Sequence, residues 1–248
     1  MGANSKGYFK ANSIIDDRKI SSLKKICEAY YAETKNAVMP VADFLATPEL
    51  AQIPFLPSVV AELRKQLGDD YVTIPEYTMQ TDQFGGWHTD SANLGLVDFV
   101  YDPSWSQVQL AVYLQDNDAE YGGGLDVRPG GHEEYLTALR HDGFFRRVLR
   151  RLRNKLIPSY SIPSKAGDLV GFHFRLLHRA SQQLNSRRKF AIFWVAAKNT
   201  PEVQRYIAHL KSYQGGLGDF EYSQDTLGLI AEQRLNVANL SGGFVNDN

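Results

Sequence analysis

The apolar positions of this chain change period twice. Around SSLKKICEAYYAE, between residues 15 and 34, apolar side chains recur at helical spacing, and Ser21 or Ser22 is placed to cap that helix. PSVVAELRKQLG, from Pro57 to Gly68, opens on proline and closes on glycine, the punctuation of a second helix. YVTIPEYTMQT is rich in β-branched and aromatic residues and predicts extended chain. QVQLAVYLQD alternates: Val108, Leu110, Val112 and Leu114 share one face, and Gln107, Gln109, Ala111, Tyr113 and Gln115 share the other. A turn at NDAEYGGG leads to LDVRP, and SYSIP, GDLVGFHF and KFAIFWVAA follow. Short strands with Gly/Pro punctuation and some long spacings predict a mainly β fold with flanking helices, a jelly roll rather than a meander.

The helical period returns inside the β region. HEEYLTALRHDGFFRRVLRRLRNKL, about 132–156, carries an apolar stripe of Phe145, Leu149, Leu152 and Leu156. Arg146, Arg147, Arg150, Arg151, Arg153 and Lys155 make the rest of it basic. It reads as a surface helix with a solvated basic face, or as a contact for an anionic substrate, a membrane surface or a partner. PEVQRYIAHLKSY and LGLIAEQRL predict helices near the end. With no repeat or linker, the expectation is one domain over 1–248: a helical part about 1–68, a β core about 70–198 with the insert, and a helical part about 200–248.

Composition narrows the classes. A net charge of −1 over 248 residues argues against a nucleic-acid partner. The lone Cys27 cannot form an internal disulfide, so a reducing, cytoplasmic setting is expected. MGANSKGYFK lacks the apolar core of a signal peptide, and Lys6 stands where a myristoylation signal wants Ser or Thr. No apolar run approaches the roughly 18 residues of a membrane helix, so no integral membrane association is expected.

The candidate chemistry begins at GGWHTDSANLG, Gly85 to Gly95. In extended chain, residues two apart point to one side about 7 Å from each other, so His88 and Asp90 can converge on one ion. A hydrogen-bonded His–Asp pair in a polar bend is the plain alternative. AGDLVGFHFRLLHRASQQLNSRRKFAIFW, Ala166 to Trp194, offers His173 and His178 as a third ligand and places Arg187 and Arg188 at the mouth of a strand. Two histidines and one carboxylate on one face of an iron leave the other face open, the facial triad of non-haem Fe(II) oxygenases. Gln109 and Tyr113 share the more polar face of their strand and either line a pocket or face outward.

Taken with GGGLDVRPGGH, Gly122 to His132, the order of these elements resembles the phytanoyl-CoA dioxygenase-like family over about Trp87 to Ala197. The resemblance implies a double-stranded β-helix, a cupin-like jelly roll, that uses Fe(II), 2-oxoglutarate and O2. It implies His88 and Asp90 as proximal ligands and His178 as the distal one, because His178 precedes Ser181 and Asn185 as the family's distal histidine precedes its Ser/Asn segment. It implies an arginine for the far carboxylate of 2-oxoglutarate. Arg188, in phase with Phe190, Ile192 and Trp194, is chosen over Arg187, which is in phase with Lys189. Gln109 and Tyr113 complete the expected cofactor pocket. The chain departs from the pattern at Ala180, where the family has serine, and at Gly131 in PGGH.

With Asp90 present, the resemblance implies hydroxylation of an unactivated C–H bond rather than halogenation, with succinate and CO2 released. Desaturation or cyclisation by the same oxidant is the alternative outcome. From other classes, a zinc hydrolase would use the same three ligands without Arg188, and a jelly-roll binding protein would need no metal. The expected substrate is a small molecule, anionic if the basic segment faces the pocket.

Overall fold

The protein is described from a computed structural model over residues 6–82, 85–90, 106–118, 120, 122–130, 132, 158–181, 184, 188–213, 220–238 and 245. A short strand, β1 (Tyr8–Ala11), precedes the helices α1 (Asp17–Thr34), α2 (Val41–Ala46), α3 (Pro48–Ala51) and α4 (Pro57–Leu67). The strands β2 (Val72–Thr81), β3 (Gln107–Tyr113), β4 (Leu125–Arg128), β5 (Tyr160–Ile162), β6 (Leu169–His173), β7 (Leu177–Ala180) and β8 (Phe190–Ala197) follow. α5 (Pro201–Tyr213), α6 (Gln224–Glu232) and β9 (Asn236–Val237) complete the described elements. The strands form a sheet of order β1-β6-β3-β8-β2-β9 and a smaller one of order β5-β4-β7. This is a jelly-roll core with flanking helices.

The alternation in β3 decides which way the large sheet faces. Val108, Leu110 and Val112 point to the helices, where they meet Leu23 and Cys27 of α1, Phe44 of α2 and Leu63 of α4. Ala111 and Tyr113 point the other way, toward Leu125, Val127 and Ile162 of the small sheet. β8 is divided in the same way: Phe190, Ile192 and Trp194 join the helix-side core, and Ala191 joins the inner one. Both faces of the central strands are buried, which is why β8 reads as an unbroken apolar run. Burial also pushes the Cys27 thiol up to about 12, so it stays protonated and packs as a small apolar group.

Three local findings differ from the sequence expectation. The cap of α1 is Asp16, whose carboxylate accepts from the Lys19 amide at 2.8 Å, rather than Ser21 or Ser22. The mostly helical N-terminal part also supplies β1, which pairs antiparallel with β6, Phe9 lying opposite Gly171. A Cβ at residue 171 would run into the Phe9 ring, so glycine there lets the strand dock. The short β7 follows β6 after a turn of only three residues, too close for periodicity to separate them. Apart from His132, the basic segment lies outside the described residues.

Gly167 joins the helical layer to the sheet. It sits at φ +83, its carbonyl accepts from the Ile15 amide, and a Cβ there would meet the Ile15 carbonyl oxygen and the Ile20 side chain. Gly167→Ala is expected to cost about 3 kcal/mol through positive-φ strain and overpacking. Thermal unfolding should show Tm lowered by roughly 6–12 °C. An unchanged Tm would mean that this joint is slack.

Candidate metal centre and cavity

A pair of backbone hydrogen bonds builds the centre. The His88 amide donates to the His178 carbonyl at 2.9 Å, and the His178 amide donates back to the His88 carbonyl at 2.9 Å. This isolated antiparallel bridge adds His88 as an extra edge beside β7. Directly opposed residues present their side chains on one face, and the two imidazole centroids lie 4.3 Å apart. Asp90 follows two residues on and brings a carboxylate oxygen to 3.7 Å from Nε2 of each histidine.

The ring tautomers are set by the neighbouring carbonyls. His88 Nδ1 lies 2.7 Å from the Gly86 carbonyl, and His178 Nδ1 lies 2.9 Å from the Leu176 carbonyl. A carbonyl only accepts, so each Nδ1 carries a proton and Nε2 is the ring atom left to face an ion. One atom from each of His88, Asp90 and His178 lies within 4.8 Å of the others. Two donors in adjacent positions on an ion at about 2.1 Å sit about 3 Å apart, so closing from 3.7 Å needs only a small shift. Asp90 Oδ2 is buried without a hydrogen-bond partner among the described residues. Burial pushes the Asp90 carboxyl up, against the pull of the two histidines, and burial pushes His178 down. Two imidazole Nε2 atoms converging on one desolvated carboxylate with an orphaned oxygen fit a divalent cation.

The opposite face of the small sheet holds this edge in place. Trp87 points away from the centre and lies between two guanidinium groups, 4.4 Å from Arg128 and 4.9 Å from Arg179. It is a half-buried clamp rather than the core aromatic its hydrophobicity suggests. Arg179 also reaches Asp126 at 2.9 Å, and Asp126 accepts from Ser161 and Ser181. Burial works to raise the Asp126 carboxyl, but these donors hold it below the usual range.

The centre opens into a cavity of about 660 Å³ between the two sheets. Gln109 and Tyr113 of β3, Phe172 of β6 and Ala191, Phe193 and Val195 of β8 form one wall; Leu125, His178 and Ala180 form the other. The face carrying Gln109 and Tyr113 is therefore the cavity face. Ala180 occupies the cavity where the family pattern has serine, and the nearby Ser181 hydroxyl is turned away to Asp126.

Arg188 is not brought to the cavity. Its guanidinium lies 4.0 Å from the Tyr31 ring centroid of α1 and 3.4 Å from Asp82 Oδ2. The phase argument fails because the bulky apolar face of β8 packs on the helices, so residues in phase with Phe190 and Ile192 point out of the barrel. Lys189 takes the inward position. It is 5% exposed, lines the cavity, and holds its ammonium 5.7 Å from the Tyr113 ring centroid. Burial pulls the Lys189 ammonium down to about 8, against the carboxylates of Asp82 and Asp126. Arg187 and Asn185 lie outside the described residues.

His173 points away from the cavity. Its Nδ1 accepts from the Arg175 amide at 3.2 Å, its ring lies 5.4 Å from His132, and burial lowers it to about 3. Tyr77 is fully buried; its hydroxyl meets that of Tyr222 at 3.1 Å, and its ring stacks on Phe44. Glu76, which sequence reasoning passed over, lines the cavity. The available signal was Pro75: proline inside a strand marks an edge or a bulge.

Residues 8–191 match the family model for phytanoyl-CoA dioxygenase (PhyH). No curated protein matches the sequence. Among solved structures, the epimerase SnoN in complex with Fe3+, alpha ketoglutarate and nogalamycin RO is similar at a TM-score of 0.61 and 14% identity, covering 78% of this chain and 80% of that one. The non-heme alpha ketoglutarate dependent carbocyclase SnoK from nogalamycin biosynthesis gives 0.60 at 15% identity over 78% and 80%. HygX from Streptomyces hygroscopicus, with nickel and 2-oxoglutarate bound, gives 0.61 at 15% identity over 79% and 84%. At these identities the structures speak to the jelly-roll fold, and the match over residues 8–191 places this chain in the phytanoyl-CoA dioxygenase family.

Proposed function

We propose that this protein is an Fe(II)- and 2-oxoglutarate-dependent dioxygenase that hydroxylates an unactivated C–H bond of a small molecule, consuming O2 and releasing succinate and CO2. The observation that carries the reading is one cavity holding a two-histidine, one-carboxylate centre and a buried cation, Lys189. A zinc hydrolase needs the first but has no use for the second, and a plain binding module needs neither. Family membership favours the same reading.

In this reading Nε2 of His88, a carboxylate oxygen of Asp90 and Nε2 of His178 hold the iron, and their protonated Nδ1 atoms keep both rings aimed. When bound, iron and 2-oxoglutarate together supply the oxidising chemistry. Lys189 takes the role assigned to Arg188 from the sequence, binding the far carboxylate of 2-oxoglutarate as a point charge rather than a fork. Gln109 and Tyr113 are placed to contact the cosubstrate along β3, and Phe172, Ala191 and Phe193 keep water from it. A second outcome, desaturation or ring closure, is favoured by one observation: SnoK is named a carbocyclase. Product mass separates the readings, with one added oxygen for hydroxylation and two lost hydrogens for desaturation or ring closure.

His88→Ala, Asp90→Ala and His178→Ala are each expected to lose stoichiometric iron and to reduce succinate formation to background. Full activity in any of them would sink the ligand set. Lys189→Met should weaken 2-oxoglutarate binding roughly 100-fold or more, the scale of stranding a buried charge, whereas Arg188→Met should change it less than threefold. Titration of the anaerobic Fe(II)–2-oxoglutarate absorption band reads both, and the reverse order would restore Arg188.

A pH dependence follows from the use of lysine. In the free protein Lys189 loses its proton as pH rises through about 8, while Asp82 and Asp126 both favour the cation. The KM for 2-oxoglutarate should therefore be flat below pH 7 and climb above pH 8, approaching tenfold per unit, because only the protonated side chain binds the dianion. Lys189→Arg, charged throughout, should flatten the profile; an identical profile in that variant would place the titrating group elsewhere.

A further inference from the structure

Glu76 is an ionisable group of the cavity that the proposed iron and cosubstrate sites do not use. It lies on β2 where the pairing with β8 slips: Ile74 stands opposite Val195, yet Thr78 stands opposite Phe193, so β2 carries two extra residues there. Two extra residues leave the alternation in phase, so Glu76 stays on the inner face with Thr78 and Gln80, which stand opposite Phe193 and Ala191. The inward side chain at residue 76 is a carboxylate, and Tyr77, Thr78, Phe193 and Val195 line the cavity with it.

A directed donor chain holds one of its oxygens. The Gln107 amide donates to the Tyr206 hydroxyl at 3.2 Å, and that hydroxyl donates to Glu76 Oε1 at 2.6 Å. Among the described residues nothing else hydrogen-bonds to this carboxylate, and no lysine or arginine pairs with it. The chain favours an anion on Glu76 and leaves its second oxygen for whatever fills the cavity.

Charge balance then points to the occupant. Two charges on Fe(II), one on Asp90, two on 2-oxoglutarate and one on Lys189 cancel. Among the described residues Glu76 is left over, within electrostatic reach of Asp90, whereas the charges felt by Lys189 are those of Asp82 and Asp126. The two groups therefore mark different parts of the cavity. An anionic ligand near Glu76 would meet two like charges.

Resting on the dioxygenase reading, we infer that Glu76 is the substrate anchor and that the substrate carries a positively charged nitrogen, an ammonium or guanidinium, held beside the iron. The carboxyl's surroundings agree with this: burial raises Glu76 to about 7, a shift that a neighbouring cation would reverse. Glu76 thereby sets specificity, and Tyr206 is a positioning residue that fixes the carboxylate's direction.

The test uses the full-length enzyme with Fe(II) and 2-oxoglutarate, and a metabolite extract split on a strong cation exchanger at neutral pH. Succinate formation and product mass are measured for the retained and unretained fractions. We expect coupled turnover from the retained fraction, with kcat/KM for its active component reduced roughly 50-fold or more in Glu76→Gln. That variant is isosteric and still accepts from Tyr206, so it should keep the anaerobic Fe(II)–2-oxoglutarate band, and Tyr206→Phe should raise KM more than it lowers kcat. Turnover confined to the unretained fraction, or an unaltered kcat/KM in Glu76→Gln, overturns the anchor while leaving the dioxygenase intact. Absence of the absorption band in the wild-type protein overturns the dioxygenase reading and the anchor with it.

Discussion

The reciprocal hydrogen bonds between His88 and His178 are the constraint on which the site depends. They join residues 90 positions apart in sequence at one rung of a sheet. Everything nearby follows from that rung: both imidazoles on the inner face, Asp90 carried to meet them, and Trp87 turned to the outer face between Arg128 and Arg179. A slip of one residue would exchange the inner and outer sets and put the tryptophan in the cavity. The cation–π clamp and the Asp126 network on the outer face oppose that slip.

The large sheet contributes a different constraint, with two buried faces of unequal character. Its helix-side face is large and apolar and stabilises the fold. Its inner face mixes Gln109, Tyr113 and Lys189 with Phe172, Ala191 and Phe193, and leaves space. A binding cavity results because side chains such as Ala180 and Ala191 are too small to close the gap between the sheets. The few charged groups admitted there, Asp90, Lys189 and Glu76, are therefore expensive to bury. Each is best understood by the opposite charge it would meet: a metal, a carboxylate, and a cationic nitrogen.

If Lys189 serves the cosubstrate, as proposed, the character of that pocket differs from one built on arginine. Arginine would offer two parallel bonds and a charge insensitive to pH. Lysine offers one compact charge whose protonation responds to burial. In the proposed reading, with Ala180 in place of serine, the pocket would hold 2-oxoglutarate by fewer directed contacts and more by charge and shape.

Periodicity and punctuation determined most of the element order: α1, α4, β2, β3, β8 and α5 are legible because apolar spacing reports local backbone geometry. The ligand residues His88, Asp90 and His178 were legible as residue types in family order. Tertiary structure decided what the pattern left open. It turned His173 away and aimed His178 inward, because only the pairing of β7 with residue 88 separates the two histidines. It sent Arg188 to Tyr31 and Lys189 into the cavity, since alternation divides a strand into two faces but does not say which one meets the helices. It also gave Glu76 its meaning: alternation puts Glu76 on one face of β2 with Thr78 and Gln80, but only the packing of the sheets makes that face a cavity wall.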